Sequence, residues 1–152
     1  MADSDLTTPP DGLLEPVVAR RDALQAAATA LESSLAEPSA TTEWRDGVRD
    51  ALSETREVLE RHVHQTAGES GLPASVVGLA PRLSGPVSRL SGEHVDLVAR
   101  QRVVAAMAED EGIGPEALRD AAADLAALLL RHVRTANDLL VDALEEELGG
   151  GD

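Results

Sequence analysis

Trp44 is the only aromatic residue in the chain apart from four histidines; there is no Phe and no Tyr. A core without large rings must be filled by Leu, Val and Ala. These side chains suit packed helices, whereas an all-β core normally draws on aromatic and β-branched residues. With 152 residues the chain is long enough for one sizeable core and short for two. Hydrophobic residues make up 43%, an ordinary globular share that argues against a wholly unfolded chain. The expectation is a single all-α domain.

Hydrophobic periodicity divides that domain into four long helices. Residues 1–11 read as a flexible N-terminal leader, with Asp11 able to cap the first helix, expected over about 12–36. Its seam is Leu14, Val17, Arg21, Leu24, Ala28, Leu31 and Leu35. Steps of three and four mark a helix packed along one stripe. The second helix is expected from Thr42 to about Ala67, with the seam Trp44, Val48, Leu52, Thr55, Leu59, His62 and Thr66. Gly68 is its expected stop.

Residues 68–85 form a long connection. It carries Val76, Val77, Leu79 and Leu83, which a solvated linker would not need, so a short helical piece closing one end is expected. The third helix is placed from Pro86 to about Asp110, with Val87, Leu90, His94, Leu97, Gln101, Val104 and Ala108 inward. The fourth opens at Pro115 and ends near Leu148. Its seam is Leu118, Ala122, Leu125, Leu129, His132, Ala136, Leu139 and Ala143. Residues 149–152 read as a flexible tail. Short turns on either side of one long connection fit an up-down-up-down four-helix bundle over residues 12–148.

Charge and cysteine content narrow the chemistry. Thirteen arginines, with no lysine, face 28 acidic residues, for a formal charge of −15. Such a chain repels nucleic-acid phosphates and anionic membranes, so neither partner is expected; a homodimer or a protein partner is left open. The absence of cysteine excludes disulfides, thiolate metal sites and thiol catalysis. The N-terminus lacks a signal-peptide pattern and the longest apolar run, Leu125 to Leu130, is too short to span a bilayer, so the expected location is cytoplasmic. No nucleophile elbow, phosphate loop or His-Glu-x-x-His stretch is present, leaving hydrolase and kinase chemistry without support.

The periodicity puts one polar residue in each seam at a comparable position: Arg21, His62, His94 and His132. At ~1.5 Å per residue along antiparallel helices, their levels differ by roughly 2 to 8 Å. A lone histidine in an apolar seam is most simply a hydrogen-bonded core residue. Three at one level are harder to satisfy, because each buried imidazole needs partners for its nitrogens. A shared metal serves three at once, and bundle interiors commonly hold metals this way. His64, two residues from His62, points to another face and reads as a surface residue.

Three segments carry a family resemblance: Glu60-Arg61-His62-Val63-His64 before the long connection, Leu90-Ser91-Gly92-Glu93-His94 in the third helix, and Leu128-Leu129-Leu130-Arg131-His132 in the fourth. In these the chain resembles the hemerythrin-like, or HHE cation-binding, domains, over about residues 13–148. The resemblance implies an up-down four-helix bundle with a non-haem di-iron centre held by histidines and bridging carboxylates. The chain departs from that ligand set. The family's first-helix histidine falls where Arg20-Arg21-Asp22 stands. The carboxylates expected one turn after the second- and fourth-helix histidines are Thr66 and Ala136, with Asn137 at the alternative spacing, and a second third-helix histidine is replaced by Val98. A di-iron centre needs bridging carboxylates to offset its charge, so it is not expected here.

The altered layer leaves several readings open. His62, His94 and His132 are the candidate ligands of a single iron or zinc ion with an open position. Arg21, Thr66 and Ala136 are candidate cofactor-binding positions. Small residues there leave room, and Arg21 could face a haem propionate if a histidine held the iron. Arg21 itself opposes a nearby cation unless a carboxylate such as Asp22, Glu69, Glu93 or Asp138 neutralises it. The alternative is a metal-free helical bundle serving as an interaction or scaffold protein, its polar layer fixing helix register.

Overall fold

The computed structural model describes residues 11–38, 41–67 and 72–150; for residues 11–18, 20, 72 and 75 it describes the backbone alone. The expected leader over residues 1–10, the Gly68 stop and the last two residues of the expected tail lie outside the described residues.

The described chain is helical: α1 (Asp11–Leu35), α2 (Thr42–Thr66), α3 (Leu72–Leu79), a 3-10 turn (Pro81–Leu83), α4 (Ser84–Glu109) and α5 (Pro115–Gly149). Among the described residues there is no strand. No described helix is long and apolar enough to cross a membrane. Helix α1 already includes Asp11, and α5 runs through Gly149, one residue past the expected stop. The long connection contains the expected short helix, α3. Its 3-10 turn leads straight into α4, which starts at Ser84, ahead of Pro86. Helix α2 is capped by Thr41, whose hydroxyl accepts from the Trp44 amide at 3.1 Å. Thr42, the residue expected to start the helix, is its first residue.

Helix α1 packs on α2 and α5, and α4 packs on α5 and α2, so each long helix has two long neighbours; α3 lies against α4 and α5. The main core contains Leu24, Leu31, Trp44, Leu52, Leu59, Leu97, Leu118, Leu125 and Leu129, from all four long helices. Val76, Ala80, Leu83, Val87, Leu90, Leu139 and Leu140 form a second, smaller cluster supplied by α3, the 3-10 turn, α4 and α5. The expected seam positions are buried wherever their side chains are described, with Arg21, His94 and Thr66 only half-buried. Two buried polar seam residues bond to backbone carbonyls, as buried groups must. Thr55 Oγ1 donates to Ala51 O at 2.7 Å, and Gln101 Nε2 donates to Leu52 O at 3.1 Å.

Arginines hold the helix ends at one side of the molecule. Arg45, in the first turn of α2, donates to the carbonyls of Met107, Ala108, Asp110 and Ile113 at 2.6–3.1 Å. The last carbonyls of a helix have no intrahelical donor, and this guanidinium supplies one. Arg119 near the start of α5 does the same for α1, donating to Leu35 O and Glu37 O. It also lies over the Trp44 ring at 4.8 Å. The carboxyl ends of α1 and α4 and the amino ends of α2 and α5 therefore meet at this side, with Trp44 plugging it.

Candidate metal centre

The histidines lie between the two apolar clusters. On α4, His94 falls between Leu90 of the smaller cluster and Leu97 of the main core; on α5, His132 is followed by Val133 of the main core and Ala136 of the smaller one. On α2, His62 comes one turn after Leu59 and Val58. His132 is 2% and His62 is 9% exposed, while His94 is half-buried.

His62 meets the other two rings edge to face and His94 and His132 are tilted at 58°, with centroids 4.9–5.4 Å apart. His132 is the centre of the group. Its Nε2 lies 3.3 Å from His62 Nε2 and 3.2 Å from His94 Nε2. One ring nitrogen from each of the three lies within 4.8 Å of the others. On its far side, His132 Nδ1–H donates to Glu93 Oε2 at 2.8 Å. Glu93 thus selects the tautomer and leaves the neutral ring's free lone pair on Nε2, aimed at the other two histidines. A carboxylate behind a ligand histidine is the usual outer-shell support of a metal site.

The two short Nε2 contacts of His132 cannot both be good hydrogen bonds. A ring nitrogen has one in-plane position, filled by either a proton or a lone pair. Neutral His132 has one lone pair for two neighbours; charged His132 has one N–H for two neighbours. In either state that nitrogen can serve only one of them. A cation between three lone pairs serves all three. A tetrahedral ion with N–metal bonds of ~2.0–2.1 Å places its ligand nitrogens about 3.3–3.4 Å apart, close to the two observed contacts. His94 is suited to this role, since burial pushes its imidazole down to about 4, with nearby His132 adding to the fall and Glu93 opposing it. The ring is neutral near pH 7 and its nitrogen is free of a second proton.

The other predicted positions contribute differently. Arg21 is half-buried and makes no hydrogen bond or ion pair with a described residue, so the structure unites three of the four expected residues by contact. Thr66 Oγ1 donates to His62 O at 2.8 Å and Val63 O at 3.2 Å, within its own helix. Ala136 is packed in the smaller core. Of the four carboxylates considered as charge partners for the layer, Glu93 reaches it, Asp22 and Asp138 are exposed, and Glu69 lies outside the described residues. Sequence reading had Glu93 as a nearby charge and as part of the Glu-His pair; it missed its reach across to α5. His64 is exposed, as expected.

Comparisons with family models, curated proteins and solved structures return no match. The hemerythrin-like resemblance thus rests on the residues quoted for it. Three histidines that fit a metal site, with one carboxylate behind them, are what the structure establishes.

Proposed function

We propose that the chain is a hemerythrin-like, up-down-up-down four-helix bundle that binds one divalent ion, zinc or iron, through His62, His94 and His132. The observation that carries this reading is the approach of the His62 and His94 Nε2 atoms to the one Nε2 of His132, which can bond only one of them at a time. Glu93 orients His132 and offsets part of the ion's charge. A fourth coordination position is left for water or a small ligand. The ligand set does not fit a di-iron centre. Thr66 and Ala136 stand at the bridging-carboxylate positions, and Glu93 meets His132 through Nδ1, on the side away from the other rings. A haem fits less well than an ion, because a macrocycle would have to enter among rings whose nitrogens are already 3.2–3.3 Å apart.

The test is titration of chelator-stripped protein with Zn(II), Fe(II) and the spectroscopic probe Co(II). One equivalent should bind, and Co(II) should give the intense visible bands of a four-coordinate site. His132→Ala should lower affinity by at least a hundred-fold. Absence of saturable binding by all three ions would overturn the proposal in favour of a metal-free scaffold, whose polar layer serves helix register alone.

A further inference from the structure

Helix α4 differs from α2 in the face it turns to solvent. The exposed positions of α2 between Asp46 and Gln65 are polar apart from Gly47. On α4 the exposed residues Ser88, Gly92, Val95, Ala99, Val103 and Ala106 follow one another in steps of three and four. That is the spacing of a packed seam, and it runs opposite the buried seam of Leu90, Leu97, Val104 and Ala108. Val95 is 73% and Val103 60% exposed. A helix that is apolar on two opposite faces is suited to packing on both.

Charge distinguishes what can cover this face. The chain carries −15, so a second copy is repelled from most of its surface. Helix α5 has three arginines against eight carboxylates, and its exposed Val141 and Leu148 flank Glu145, Glu146 and Glu147. Of the four long helices only α4 is neutral, with Arg89, Arg100 and Arg102 balancing Glu93, Asp96 and Glu109. Asp96 and Arg100 are both exposed, and neither makes an ion pair with a described residue. At about 100° per residue they stand on one edge of the apolar stripe and Arg102 stands on the other. With a second α4 laid antiparallel about Ala99, Val95 comes level with the partner's Val103 and Gly92 with the partner's Ala106. Asp96 then lies within roughly 3 Å of the level of the partner's Arg100, on the same edge. A parallel copy would instead set Arg100 across from the partner's Arg102, like charge against like. The face is therefore complementary to itself in the antiparallel sense, as a two-fold contact requires.

We propose that the outer face of α4 is a self-association surface on which two copies of this chain pack α4 against α4, antiparallel. Ala99 lies at the two-fold axis, Val95 and Val103 form the apolar centre, and two Asp96–Arg100 ion pairs close the rim. Gly92, Ala99 and Ala106 let the two helix backbones approach closely. The stripe is one helix wide and ~27 Å long, less than the roughly 800 Å² per partner of a standard interface, so the dimer belongs to the weak, reversible class. His94 projects from the other side of α4, toward His132, so association does not require a metal ion.

Sedimentation equilibrium of chelator-stripped and zinc-loaded protein, from micromolar to near-millimolar concentration, tests this. In both, the mass should rise from 15.9 kDa toward twice that value. Ala99→Glu should keep its helical circular dichroism and weaken association by about ten-fold or more, because it sets two carboxylates against each other at the axis. Val141→Glu, which adds the same charge on another exposed surface, should leave association within about two-fold of the parent. Asp96→Arg should also weaken it, and an equimolar mixture of D96R with R100D should recover it, since both rim pairs then join opposite charges. The chain has no cysteine, so introduced thiols report direction. Under oxidation a mixture of V95C and V103C should cross-link, and V95C alone should not. Protein that stays monomeric throughout the range, leaving the face to a different protein, would overturn the proposal. Undiminished association of A99E, or cross-linking of V95C to itself, would do so too.

Discussion

On the main-core side of the histidine layer, four long helices contribute leucines that are almost wholly buried, and Arg45 and Arg119 tie off the ends of α4 and α1. On the other side, the smaller cluster draws on α4, α5, the 3-10 turn and short α3, and its leucines retain some exposure: Leu90, Leu139 and Leu140 are each 8% exposed. The histidines occupy the boundary. The first region has the marks of a scaffold, with dense apolar contact and satisfied helix ends. The second leaves the layer's far side covered by short elements, where adjustment of His94 and His132 around an ion costs less. A site needs both, a rigid base to fix its ligands and a softer cover through which an ion enters.

The sharpest test of this contrast compares like substitutions. Leu125→Ala in the main core should cost about 3–5 kcal/mol, the transfer cost of the lost atoms plus the cavity they leave. Leu140→Ala in the smaller cluster should cost nearer 2 kcal/mol, because a looser surround relaxes more fully. Urea unfolding of the metal-free proteins measures both; equal losses would break the distinction between the two regions. Arg45→Ala comes next. Four carbonyls lose a charged donor, but water can reach this partly open end, so the expected loss is about 2–3 kcal/mol. A loss near zero would mean the helix ends are held by apolar contact alone.

Glu93→Ala should separate metal binding from stability. Removing the carboxylate behind His132 frees its tautomer and orientation, and metal affinity should fall about 10–100-fold. Glu93 has a side chain 42% exposed, so metal-free stability should change little. Competition with a chelating dye measures the first and urea unfolding the second. Equal losses in both would make Glu93 a structural residue.

The fold was more legible in the sequence than the site. Seams such as Leu24-Ala28-Leu31-Leu35 and Leu118-Ala122-Leu125-Leu129 announce themselves because burial imposes a spacing that survives any detail of packing. Even the helix in the long connection was signalled, by apolar residues that solvent would not hold. Convergence of the histidines was legible for the same reason, since register follows from rise per residue. Two things were not. The cross-helix reach of Glu93 depends on side-chain direction; Asp96, one turn on and just as acidic, is exposed and makes no ion pair with a described residue. The arginine clamps were hidden because the partners of Arg45 lie more than sixty positions away in the chain, and nothing local marks them.

Titration of His94 should show in metal-free protein. His94 ordinarily titrates near 6.5 and is pushed to about 4 by burial. Above pH 6.5 the ring is neutral in both folded and unfolded chains, and its contribution to stability is full. Between 6.5 and 4 the unfolded chain takes up a proton that the folded one refuses, so stability falls as the pH drops; below 4 both are protonated and the loss levels off. Allowing for the ring's partial exposure, about 1 kcal/mol is expected over this interval. Bound zinc should suppress this dependence until protons compete with the ion itself. Unfolding curves at pH 7, 5.5 and 4.5, with and without zinc, check it; identical stability at all three without metal would contradict it.

The smallest expected change in stability is also the most informative. His62→Leu replaces a nearly buried imidazole with an apolar side chain of similar volume, next to Leu59. Polar groups replaced by well-packed apolar ones often leave stability unchanged or raise it, since desolvation offsets most of what their contacts contribute. Here the substitution also ends the competition for His132 Nε2, leaving it to His94. Without metal, stability should therefore stay within about 1 kcal/mol of the parent. Zinc affinity, by contrast, should fall at least a hundred-fold, because one of three ligands is gone. That split is what a ligand site predicts and a register-fixing polar layer does not. If His62→Leu instead lost 2 kcal/mol or more without metal, the layer would belong with the arginine clamps as part of the scaffold.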